Sequence, residues 1–135
     1  MELTFQLSAI HWLPVLVMTV FSFILGSVWH MPFLFGKTWT KENYGDQDPK
    51  KGNLPLIFGG TAVMHLLLIT TLSALVSESG AMKGLATGFL ISIFWILPVM
   101  AGTYLFAGRS LKLLAIDAGL YMVLFTLSGL VLAIW

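Results

Sequence analysis

Asp117 is the residue of this chain best placed to do chemistry, because it is the single charge in the apolar run from Lys112 to Trp135. A carboxylate at the middle of a membrane helix costs about 2.5–3.5 kcal/mol even on the insertion scale, so it must face protein or water. His65 stands inside another uncharged run, between Lys51 and Glu78, with Thr61 one helical turn before it. Tyr121 follows Asp117 by four residues and shares its helix face, and Ser110 and Ser128 widen that polar stripe. At the rise of an α-helix, Asp117 lies about 9 Å and His65 about 15 Å from the cytoplasmic starts of their helices. That difference leaves room for a direct or water-bridged pair. A histidine and a carboxylate so placed can exchange a proton near neutral pH. The same groups can equally act as glue between helices, at about 0.6 kcal/mol per hydrogen bond.

Other chemistries fail on spacing. The chain has no cysteine, which removes disulfides, thiolate metal sites and cysteine nucleophiles. Gly36-Lys37-Thr38 resembles the tail of a phosphate loop, but the required earlier glycine is Met31. His11, His30 and His65 fall near the outer surface, near the inner surface and at mid-depth, so no metal or haem site is expected, nor any cofactor. No Ser-His-Asp set shares a depth and no His-Glu-x-x-His run exists, so the chain is not expected to be an enzyme. A net charge of +1, with the basic residues dispersed, excludes nucleic acid as a partner.

The elements that must hold Asp117 and His65 follow from composition. Of 135 residues, 58% are hydrophobic and 10% charged, where about 25% charged is usual in soluble domains. Three runs carry no Asp, Glu, Lys or Arg, and the fourth carries Asp117 alone. Each can hold the roughly 20 residues of a spanning segment. In lipid the backbone must bond to itself, so these are helices. The expected fold is all-α, a single domain of four transmembrane helices in a bundle, with spans at about 11–30, 55–77, 85–107 and 111–133. The opening Met1-Glu2-Leu3-Thr4-Phe5-Gln6 lacks Lys and Arg, and the apolar stretch after it is too long for a signal-peptide core, so it reads as a retained helix.

Punctuation agrees. Pro14 and Pro55 fall in first turns, Gly80 and Gly108 follow helix ends, and Ser110 can cap the fourth helix. Pro98 sits inside span three, where a missing donor favours a kink, with Gly102 one turn later. Small residues at intervals of four, Ser22 and Gly26, Gly84, Gly88 and Ser92, then Ala115 and Gly119, allow close helix packing within one chain or, through Gly84 and Gly88, between two copies.

Lys37, Lys41, Lys50, Lys51, Arg109 and Lys112 fall on one side of the spans and Lys83 on the other. That asymmetry predicts N-out, C-out topology, with residues 31–53 as a cytoplasmic interfacial loop. Within it, residues 32–39 read as a short stretch at the interface and 41–53 as a polar loop. Trp12 and Trp135 are expected at the outer interface, Trp29 and Trp39 at the inner one, and Trp95 near mid-membrane.

With these features in place, Ile10-His11-Trp12-Leu13, the stretch Gly26-Ser27-Val28-Trp29-His30-Met31-Pro32-Phe33-Leu34-Phe35-Gly36-Lys37-Thr38-Trp39 and the run Asp117-Ala118-Gly119-Leu120-Tyr121 resemble the family catalogued as domain of unknown function 1761. His30 departs from the tyrosine expected after the tryptophan. The resemblance implies a small four-helix membrane protein and no established activity. The expectation for function is a non-enzymatic structural or partner-binding bundle in a plasma or inner membrane, with the lipid bilayer as partner and self-association left open. The alternative is a small oligomeric proton-linked carrier using Asp117 and His65, with His30 and Tyr121 as further contacts.

Overall fold

Apolar runs of this length become helices, and the computed structural model, which describes residues 6–135, is helical throughout its ordered elements. A 3-10 turn at Leu7–Ala9 leads into α1 (Trp12–Trp29), α2 (Gly36–Tyr44) and α3 (Leu54–Val76). Then come α4 (Ala81–Ile91), a π-helical turn (Ser92–Ile96), α5 (Leu97–Phe106) and α6 (Leu111–Ile134). Among the described residues there is no strand. Trp12–Trp29, Leu54–Val76, the continuous stretch Ala81–Phe106, and Leu111–Ile134 are long and apolar enough to cross a membrane. The opening stretch read above as part of a retained segment falls, for residues 1–5, outside the described residues.

Local chemistry sets the helix ends. The Asn53 side chain accepts from Leu56 N–H at 3.2 Å, with Pro55 in the first turn where its missing donor costs nothing. Ser110 Oγ accepts from Leu113 N–H at 3.1 Å and caps α6, as expected. Gly108 adopts φ +66°, a conformation strained for a side chain, and lets Arg109 N–H close on Tyr104 C=O at 2.9 Å behind α5. The third long helix starts at Ala81, four residues before the expected start. It tolerates Lys83 because a lysine near a helix end can extend its charged head to water.

α6 is the hub, in contact with every other helix. Its approach to α4 is the closest, and glycines make it so. A Cβ on Gly84 would collide with the Gly129 carbonyl and with Ala133, and one on Gly88 with the Phe125 carbonyl. Where solvent gives helices no hydrophobic drive to associate, such backbone proximity supplies the dispersion contact instead. A Cβ on Gly119 would lie 3.3 Å from the Trp29 ring. Gly26 is a correction to the packing stripe: nothing lies within 4 Å of its Cβ position, and its carbonyl serves instead as an acceptor for His30. Gly129, on the face that α4 covers, was not among the predicted packing residues.

The apolar core gathers where α1 begins and α3 and α6 end, around Val15, Met18, Ile69, Leu72, Val76 and Leu132. At the opposite end the packing is polar. Pro98 supplies the organising defect of span three. Its ring excludes the carbonyl one turn earlier, and the ladder is broken by the π-helical turn at Ser92–Ile96, directly before Leu97 and Pro98. Beyond that turn α5 buries none of its residues, and Trp95 is 62% exposed.

The segment 31–53 differs from expectation. Residues 41–44 are helical, the second half of α2, because Trp39 and Asn43 stand one turn apart and both are held from the same side. Lys37 and Lys41, also one turn apart, face away.

Candidate functional site

Asp117 sits six residues into α6, and its two carboxylate oxygens are claimed by different helices. Oδ1 accepts the indole N–H of Trp39 from α2 at 2.9 Å, and Oδ2 accepts the Tyr104 hydroxyl from α5. The His30 Nε2 lies 4.0 Å from Oδ1. His30 Nδ1 is 2.7 Å from the Gly26 carbonyl, which can only accept, so Nδ1 carries a hydrogen and Nε2 is turned toward Asp117. The Asp117 side chain is 17% exposed. This is how the structure answers the cost of a carboxylate in an apolar helix: two neutral donors and one imidazole surround it.

The surroundings extend the same device. Trp29 N–H donates to the Ile116 carbonyl at 2.9 Å, tying the end of α1 to the turn that carries Asp117. Gly36 opens α2 under the His30 carbonyl, where a Cβ would collide with that carbonyl and with Met31. The Asn43 amide donates to the Trp39 carbonyl at 3.0 Å, and its Oδ1 accepts from the Arg109 guanidinium at 2.9 Å. That guanidinium lies 5.5 Å from the centre of the Tyr104 ring. Trp29, His30 and Trp39, all within one stretch of fourteen residues, therefore converge on two adjacent residues of α6, and Gly36 lets α2 start close against His30.

His65 belongs to a separate site. Its Nδ1 is 2.7 Å from Ser22 Oγ, while the Ser22 hydroxyl donates to the Thr19 carbonyl at 2.6 Å. Ser22 Oγ must then accept, which places the hydrogen on His65 Nδ1. His65 and Ser22 are both buried. The ring of Tyr121 meets His65 edge-on with centroids 6.1 Å apart, so Tyr121 lies between the two polar sites without a hydrogen bond to either. Thr61 is half-buried one turn before His65. Asp117 and His65 are each satisfied by other partners. Ser128, on the same polar stripe of α6, is buried with its hydroxyl unpartnered.

At the far end His11 Nε2 stands 3.7 Å from Glu78, beside a small cavity of about 260 Å³ lined by Gln6, Ser77, Ser79 and Lys83. Among the described residues, no three of His, Asp and Glu gather as a metal would require.

Of the residues the sequence points to, Asp117 and His30 meet here and Tyr121 lies alongside without a hydrogen bond, whereas Trp39, Tyr104, Asn43 and Arg109 are added by the fold. The signal in the sequence is the spacing of Trp39 and Asn43, one turn apart across the join between the interfacial stretch and the polar segment. Tyr104 and Asp117 are thirteen residues apart on either side of a turn, a separation that antiparallel neighbours bring together.

An all-helical chain with four helices long and apolar enough to cross a membrane, carrying one carboxylate clamped by an indole and a phenol, is the class this geometry defines. The chain belongs to the family described as protein of unknown function (DUF1761), whose model matches residues 13–133. The resemblance carried by residues 26–39 is thereby borne out. No curated protein and no solved structure matches the chain.

Proposed function

We propose that this is a multi-pass membrane protein of a plasma or inner membrane, N-out and C-out, that works as a non-enzymatic structural or partner-binding module. The six-to-one distribution of basic side chains supports that orientation. So does the Arg109–Asn43 bond, which joins the two basic loops at one end of the molecule. In this reading α2 lies at the cytoplasmic interface, its Lys37 and Lys41 stripe facing outward.

The engagement of both Asp117 oxygens carries the structural reading. A carboxylate that holds α2 and α5 against α6 is poorly suited to shuttle protons, because loading it disturbs two hydrogen bonds at once. Self-association, where a second copy is the partner, must use a face other than Gly84 and Gly88, which α6 occupies.

Flux in liposomes under a pH gradient tests this. The expected result is no flux above protein-free vesicles, with wild type or with Asp117→Asn. Flux that Asp117→Asn abolishes would replace this reading with the proton-linked carrier, in which Asp117, His65, His30 and Tyr121 make the contacts.

A further inference from the structure

We propose that the outward face of α2 docks onto anionic phospholipid headgroups, with the ammonium groups of Lys37 and Lys41 lying on the lipid phosphates. This rests on the membrane reading above and names the lipid chemistry that the module would hold.

The helix divides into two stripes. Gly36, Trp39, Thr40 and Asn43, at helical intervals, are buried or half-buried, and Trp39 and Asn43 are bonded to Asp117 and Arg109. Lys37, Thr38 and Lys41 are exposed. The two bonds fix the rotation of α2 about its axis, so the lysines stay turned away from α6, about 6 Å apart along the helix. Among the described residues neither lysine pairs with a carboxylate. Their ammonium groups are therefore available to an anion from outside the chain.

The residues just before α2 decide what that anion belongs to. Phe33 is 73% exposed and Leu34 42%, and the rings of Phe35 and Trp29 pack with centroids 4.7 Å apart. Lys37 follows Phe35 by two residues, and the apolar stem of a lysine lets its charge reach from the acyl boundary to the phosphates. Lipid covers both sets at once, with tails over Phe33 and Leu34 and phosphates over Lys37 and Lys41. A soluble anion would cover the lysines and leave the apolar pair in water. Charge selects an anionic head: Lys37, Lys41, Lys50, Lys51, Arg109 and Lys112 fall at this end against Glu42, Asp46 and Asp48, an excess of three positive charges. Each lysine held at an anionic surface contributes about fivefold in affinity. Lys50 and Lys51 lie between α2 and α3, outside any helix, and serve as an internal control.

The experiment uses the full chain in phosphatidylcholine nanodiscs, with bimane on Thr38→Cys, between the two lysines of a chain that has no other cysteine. Phosphatidylglycerol or phosphatidylcholine bearing a nitroxide near the top of one acyl chain is titrated in as the quencher. Phosphatidylglycerol should reach half-quenching at a mole fraction at least about fivefold lower than phosphatidylcholine, whose choline compensates its phosphate. Salt at about 0.5 M should remove most of that preference. Lys37→Gln and Lys41→Gln should each raise the half-quenching fraction of phosphatidylglycerol about fivefold, and Lys50→Gln with Lys51→Gln less than about twofold. Free glycerol phosphate, the same headgroup without tails, should leave the quenching unchanged. Equal quenching by the two lipids, an equal effect of the Lys50 and Lys51 changes, or relief by glycerol phosphate overturns the α2 surface while leaving the membrane reading intact. A chain that stays in free solution and does not enter nanodiscs overturns the two together.

Discussion

Trp39 and Asp117, 78 positions apart, meet through a 2.9 Å hydrogen bond that docks a short helix onto a long one. The bond gives the buried acid a neutral donor and gives α2 its only side-chain tie to α6 among the described hydrogen bonds. Asp117→Ala strands both the Trp39 indole and the Tyr104 hydroxyl, and should cost about 2–4 kcal/mol of stability. Trp39→Phe should cost about 1–2 kcal/mol and release α2 without unfolding the long helices. Denaturant titration in detergent reads the first effect, and protease cleavage within residues 36–44 reads the second. Unchanged protection of α2 in Trp39→Phe would remove the docking role.

Glycines that look alike in sequence should respond in opposite ways. Gly88→Ala pushes a methyl into the Phe125 carbonyl and Gly36→Ala into that of His30, each expected to destabilise by about 1–3 kcal/mol. Gly26→Ala meets open space and should stabilise its helix by about 0.5–1 kcal/mol. Thermal unfolding of the three variants side by side checks the ordering; a destabilised Gly26→Ala would contradict it.

Two buried serines form a similar contrast. Ser22→Ala leaves His65 Nδ1–H without an acceptor and should cost about 1–3 kcal/mol, whereas Ser128→Ala removes an unpartnered hydroxyl and should gain about 1 kcal/mol. Loss of stability in both variants would mean that Ser128 is satisfied after all.

Because the chain contains no cysteine, single cysteines report topology directly. An impermeant maleimide should label Glu78→Cys on intact cells and Lys41→Cys only after permeabilisation. The reverse pattern would invert the proposed orientation.

What the sequence determined by itself is what depends on neighbours along the chain. Long uncharged runs of apolar residues have to be helices if lipid surrounds them, and Ser110, Gly80 and Gly108 mark their ends by local hydrogen bonding and by φ. The cost of a charge in such a run is enough to single out Asp117. The tertiary structure alone decided which faces meet. Helices that are apolar all round carry no polar face to show which side turns inward. Gly84 and Gly26 were therefore indistinguishable until α6 was seen to cover one and leave the other open. For the same reason Asp117 and His65, only about 6 Å apart in depth, look like partners from the sequence. Packing gave the acid to Trp39 and Tyr104 and the imidazole to Ser22, because a helix's rotation about its axis, set by its neighbours, decides which side chains meet.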